Sequence, residues 1–136
     1  MADRLTLELA TPSRLLVSEQ VDEVVAPGSE GYFGVLPGHA PFLATLGIGE
    51  LTYRIGRAER HVAISRGFCE VRNDKVIVLA DSAELPEDID RDRAQRARER
   101  AEQRLTGRTQ EEIDYTRAAA ALARALTRLQ VASRGA

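Results

Sequence analysis

Few residues in this chain have the types and spacing for covalent or metal chemistry. The candidates are His39, His61 and Cys69, and they fall in three different segments. A metal site needs several His, Cys or carboxylate ligands converging on one point, so this scatter predicts no metal. Nucleophilic catalysis needs a Ser or Cys beside a positioned base. No serine sits in an elbow motif. Cys69, the only cysteine, has no disulfide partner and reads as a small core residue. No catalytic residue is expected.

Two further patterns suggest ligand binding and fail on inspection. Gly28-x-x-Gly31-x-x-Gly34 has the glycines of a phosphate loop but not the Lys-Ser/Thr ending, and it opens no helix. Turns and close backbone contacts between strands explain it. Arg91, Arg93, Arg96, Arg98, Arg100 and Arg104 are dense enough to suggest nucleic acid. Asp90, Asp92, Glu99 and Glu102 interleave with them and aromatics for base stacking are scarce, so a solvated, salt-bridged face is expected and no nucleic acid.

Behind these residues lie 136 positions, room for one ordinary domain or two small ones. The net charge of −2 gives no overall field toward nucleic acid. Residues 1–86 hold 12 acids and 8 bases, whereas residues 87–136 hold 9 acids and 11 bases, so the second part suits an acidic partner better. No apolar run approaches the ~18 residues of a spanning helix, so no membrane insertion is expected. The N-terminus runs straight into a strand pattern with no signal core or transit segment, which predicts a cytosolic chain or one attached to something in a membrane.

The first ~85 residues read as short strands. Leu5, Leu7 and Leu9 alternate with polar residues, and further runs cover 15–17, 21–26, 42–46, 51–55, 62–64, 68–71 and 76–80. Gly47 is expected to end one of them, and Asn73-Asp74 to turn a hairpin. This pattern predicts an antiparallel β-sandwich or barrel. At Pro86 the period changes. Ala94, Ala97, Ala101 and Leu105 share a helical face, with Asp88 and Asp90 as candidate caps. Residues 109–112 read as a capping box for a second helix, whose face carries Tyr115, Ala118, Leu122, Ala125 and Leu129. A short link at Gly107-Arg108 makes the two helices an antiparallel hairpin. Alanine stripes bury little area, so the hairpin should detach easily from anything it packs on. The expected fold class is thus all-β plus α, with a sandwich over residues 1–85 and a helical hairpin over 86–136.

The segment VDEVVAPGSEGYFGVLPGHAP, residues 21–41, resembles the signature of the epsilon subunits of F-type ATP synthases. So does LGIG at 46–49. SRGFCEVRNDKVIVLADSAE at 65–84 is similar to that family's last sandwich strands, with Arg66-Gly67-Phe68 where Gly-Gly-Phe is usual. The Ala/Arg-rich hairpin fits too, so the resemblance covers essentially the whole chain. It implies an antiparallel β-sandwich that binds the gamma subunit and the ring of c subunits, coupling proton-driven rotation to ATP synthesis. It also implies a hairpin that lies folded on the sandwich, or extends to the alpha and beta subunits of the catalytic head and opposes ATP hydrolysis. The resemblance makes the chain a non-catalytic rotor piece on the cytoplasmic face of the bacterial inner membrane, although plastid members share the plan. Gly31, Leu36, Pro37, His39 and Phe42 then fall in the block that meets the rotor. Two other readings stand beside it: a sandwich adaptor outside any ATP synthase, and an enzyme with an unusual site. Co-purification with a catalytic head separates them.

Residues 89–94, IDRDRA, match the I-D-x-x-R-A pattern that many bacterial epsilon subunits carry at an ATP site. The match implies contacts from Ile89, Asp90, Arg93 and Ala94. The family's further contacts fall on Glu84, six before the Asp, on Arg124 and Arg128 of the second helix, and on Arg100. No cofactor is required on this reading; ATP would be a regulatory ligand, with Mg not essential. Guanidiniums from both helices would meet phosphate oxygens, while Asp90 and Glu84 would accept from adenine or ribose. The alternative is surface ion pairing, with Asp90 capping its helix.

Overall fold

The structure is a computed structural model that describes residues 4–107 and 112–135. The alternating apolar residues form strands β1 (Leu5–Ala10), β2 (Leu15–Val21), β3 (Glu23–Gly28), β4 (Gly31–Val35), β5 (Phe42–Ile55), β6 (Ala58–Arg72) and β7 (Lys75–Glu84). A short 3-10 helix, Pro86–Asp88, leads into α1 (Arg91–Leu105) and α2 (Glu112–Arg134). The expected capping box at 109–112 lies outside the fully described residues. The strands order as β2-β1-β7-β6-β5-β3-β4 in one sheet. Edge strand β2 touches β5 although three strands lie between them, so the sheet folds over itself into two layers. One apolar core draws side chains from every strand, including Leu7, Val21, Val24, Val35, Leu51, Ile64 and Val78.

The sandwich and hairpin follow the expected order, and three details depart from the sequence reading. First, β1 pairs with β7 in parallel, Thr6 opposite Lys75, whereas every other pairing is antiparallel. Parallel neighbours need a long crossover, and here all of β2 to β6 provides it. Second, residues 31–35 of the glycine-rich segment form β4, paired antiparallel with β3. Third, Gly47 ends nothing. β5 and β6 each run through a point where the separate runs seemed to stop.

At that point the buried face changes phase. Val62 and Ile64 point into the core of β6 before it, Cys69 and Val71 after it. In β5 the same change separates Leu46 from Leu51 and Tyr53. Leu46 pairs with Gly67, so the two shifts lie side by side. Arg66 and Gly67 supply the bend with φ of 61° and 143°. A Cβ on Gly67 would lie 2.1 Å from the Leu79 carbonyl oxygen, so only glycine fits. Gly67→Ala is expected to cost about 3 kcal/mol in urea unfolding. Arg66→Gly should add about 0.5–1 kcal/mol, because it relieves a left-handed arginine.

Candidate functional site

Two surfaces stand out, and both are made by what faces away from the core. Before the bend, Ala63 of β6 points outward between inward-pointing Val62 and Ile64. It is buried under Ile89, Val131 and Ala132. This small cluster is the seat of the helical hairpin. α2 crosses β5 and β6, while α1 packs chiefly on α2. Ala94 and Ala101 of α1 are buried, and so are Ala118 and Ala125 of α2, each pair at the same seven-residue spacing. Close backbone approach follows from these small side chains. The Arg91 guanidinium donates to the Ala132 carbonyl at 2.6 Å, which ties the start of α1 to the end of α2. Tyr115, expected on the packed face, is exposed, while Leu122 and Leu129 are half-buried.

Two carboxylates flank the seat. Glu84, at the end of β7, takes both Arg128 nitrogens, with Nε at 2.7 Å and Nη2 at 3.1 Å. Glu50 of β5, only 12% exposed, takes Arg134 through Nε and Nη2, each at 3.1 Å. Gln130 Nε2 donates to the same carboxylate at 3.3 Å, and His61 Nδ1 lies 3.5 Å away. The Glu50 hydrogen bond and charge raise the Arg134 pKa above its ordinary value. The sequence reading missed this second cluster. Its one signal was a charged residue among the alternating apolar residues of β5; its partners on α2 lie 80 and 84 positions away.

The residues of the ATP expectation separate into groups. Glu84, Arg124 and Arg128 meet, with Ala63, Ser65 and Thr127, around a cavity of about 30 Å³. Ile89 and Ala94 are buried packing residues. The Asp90 side chain caps α1 by accepting from the Arg93 backbone N–H at 3.0 Å. Arg93 and Arg100 are exposed on α1 and line no part of that cavity.

The second surface is an apolar face. Hydrogen-bonded pairing sets Leu15, Ala10, Leu79, Phe68 and Thr45 in one row across five strands. Leu15 and Leu79 are each 55% exposed, Phe68 is 56%, and neighbouring Leu43 is 71%. A cavity of about 600 Å³ continues it, lined by residues 28–33 and 42–45. Of the expected rotor residues, Gly31 and Phe42 line this cavity, and Leu36 is exposed beside Pro37 in the loop between β4 and β5. His39 turns its ring toward Phe42, whose ring meets Phe33 at 5.1 Å. Asp74 accepts from the Gly38 backbone N–H at 2.7 Å and so anchors the loop. Contiguous exposed apolar surface of this kind is the feature that interaction sites and binding grooves share.

Cys69 is fully buried, and burial pushes its thiol up to about 11, which makes it inert at neutral pH. Among the described residues no group of three or more metal-ligand side chains converges. No helix there is long and apolar enough to cross a membrane.

Comparison with known proteins covers the full length. The beta-sandwich domain of the ATP synthase delta/epsilon chain matches residues 4–86, and that chain's long alpha-helix domain matches residues 87–133. The ATP synthase epsilon chain of Nitratidesulfovibrio vulgaris (strain DP4) is 56% identical over 96% of this chain and 97% of its own. That of Syntrophobacter fumaroxidans is 54% identical over 98% and 99%. A chain in the structure of the Euglena gracilis mitochondrial ATP synthase, OSCP/F1/c-ring, superposes with a TM-score of 0.83 at 25% identity, covering 98% of this chain and 83% of that one.

The seat generates a test of its own. Ala132→Asp buries an unpaired carboxylate in the Ala63 cluster, at about 3 kcal/mol or more. The hairpin should leave the sandwich, seen as lost dispersion of the Ala63 amide in nitrogen-15 NMR. The sandwich should still unfold cooperatively.

Proposed function

The chain belongs to the ATP synthase delta/epsilon-chain family, and on that premise we propose that it is the non-catalytic epsilon subunit of a bacterial-type F-type ATP synthase. In this reading it lies peripherally on the cytoplasmic face of the inner membrane. The sandwich, residues 1–85, joins the gamma subunit to the c ring and couples proton-driven rotation to synthesis. The hairpin, residues 86–136, extends to the alpha and beta subunits and opposes hydrolysis. The observation that carries the reading is the apolar row from Leu15 to Thr45 with its neighbouring cavity, a large interface on a chain this small. A hairpin whose small apolar cluster meets the sandwich at Ala63 alone supports a detachable regulator.

A reconstituted catalytic head with gamma tests both halves. The full chain should bind and inhibit hydrolysis. Phe68→Asp should weaken binding about tenfold or more, by placing a charge in the interface. A chain ending at Leu85 should bind and not inhibit. Equal inhibition by the full and shortened chains assigns the brake to the sandwich.

The hairpin in its folded form is also proposed to bind ATP through Arg93, Arg100, Arg124 and Arg128, with Asp90 and Glu84 toward the nucleoside. Arg128 must then exchange the Glu84 carboxylate for phosphate, and Arg124 already lines the same cavity. The pairing of Glu84 with Arg128 and the capping by Asp90 favour a second reading, in which these are structural ion pairs. Calorimetry of the isolated chain decides between them. ATP affinity should fall about tenfold in Arg93→Ala and Arg124→Ala, at roughly the strength of a charge-assisted hydrogen bond. Equal affinity in all three assigns the ion pairs.

A further inference from the structure

Glu50 is poorly explained as a surface residue. Its carboxylate is nearly enclosed, yet it sits on the outer face of the sandwich and collects three partners from two elements. Arg134 and Gln130 come from the last turns of α2, and His61 comes from the neighbouring strand β6. His61 is itself 14% exposed, with Thr52 Oγ1 at 3.1 Å from Nδ1. Only Arg134 and Gln130 travel with the hairpin; Glu50, Thr52 and His61 stay with the sandwich.

We propose that Glu50 is the catch of the folded hairpin and that protonation of His61 releases it, so that acidification favours the detached hairpin. The proposal rests on the hairpin being detachable, not on what it acts on afterwards.

The physical reason is competition for one carboxylate. With His61 neutral, Arg134, itself 44% exposed, meets an uncompensated negative charge whose carboxylate is largely shielded from water, so the pairing is stronger than in bulk solvent. A proton on His61 places a second cation 3.5 Å from that carboxylate. The imidazolium cancels most of the field that draws Arg134 and repels the guanidinium directly. When the hairpin leaves, the Glu50–His61 pair remains on the sandwich and loses nothing. Docking of Arg134 and protonation of His61 therefore oppose each other, and docking is fully present above the histidine range and weakened below it.

Other charged groups face this junction. Glu19 of β2, Glu59 and Arg60 of β6, and Glu87 of the 3-10 helix line a cavity of about 700 Å³ with His61 and Arg134. Tyr53 lines it too, and burial raises its pKa further above neutrality. Of the side-chain types that face this junction, imidazole is the one whose charge changes in the physiological range, so between about pH 8 and 6 the histidine is the switch. His39, the chain's only other histidine, sits in the loop between β4 and β5 against Phe42.

The test uses the isolated full-length chain and nitrogen-15 NMR, with the amides of Ala63 and Ala132 reporting docking and those of Leu51 and Val62 reporting the intact sandwich. Between about pH 8 and pH 6 the undocked-to-docked ratio of the wild type should rise about three- to tenfold. Arg134→Ala and Glu50→Gln should raise it by a similar factor at pH 8 and remove the pH dependence. His61→Gln should stay docked at both pH values. In Arg134→Ala the His61 ring should protonate at higher pH than in the wild type. The proposal is overturned if Arg134→Ala docks like the wild type at pH 8, or if His61→Gln keeps the wild-type pH dependence. Hydrolysis is not measured, so failure here leaves the regulatory reading to its own experiment.

Discussion

The seam between sandwich and hairpin is the constraint on which this molecule turns. Its apolar part is Ala63, Ile89, Val131 and Ala132, three of the four small. At roughly 25 cal/mol per Å² such a seam contributes only a few kcal/mol. The polar part is two carboxylates, Glu50 and Glu84, each gripping an arginine of α2 with both oxygens. Solvent reaches both arginines and screens these pairs, so each adds little. The sum lies where a ligand, a proton or a partner can shift the population. A leucine-rich seam would have fixed the hairpin, and a seam of polar residues alone would not have held it.

The sandwich is built differently because it must not open. A single sheet doubles over, and its core takes large side chains from all seven strands. The bend at Arg66 and Gly67 makes the outer face change parity along β6. Before the bend, Ala63 faces out and seats the hairpin; after it, Phe68 faces out and joins the apolar row. One strand thereby carries the hairpin seat and part of the exposed apolar row at opposite ends of its length. The parallel pairing of β1 with β7 brings the first and last strands together and extends that row to Leu15.

Glu50 lies where the two surfaces approach each other. Its side chain holds α2, while its backbone N–H donates to the Tyr32 hydroxyl at 3.0 Å. Tyr32 lines the 600 Å³ cavity beside the apolar row. The bond exists because β3 shifts register against β5 between Val25 and Gly28, where Pro27 has no N–H to give. A Cβ on Gly49 would lie 2.5 Å from that hydroxyl, so the tyrosine closes tightly over the strand.

The sequence by itself determined the local structure: the period of two through residue 80, the change of period at Pro86, the Asn73-Asp74 turn and the alanine stripes. Each of these is a relation among residues within a few positions, and backbone geometry translates it directly. It also carried the family resemblance, because glycine and proline spacing is itself local. The tertiary structure alone decided the parallel clasp, the phase change that joined the strand runs on either side of Gly47, and the partners of each carboxylate. Glu84 was legible through its family motif, whereas Glu50 was not, because its arginine lies 84 residues along the chain. Asp90 was legible as a helix cap because a cap and its helix are neighbours in the chain, and its side chain accepts from the Arg93 backbone N–H. Which charges meet depends on how the hairpin lies on the folded sheet, and no spacing along the chain encodes that angle.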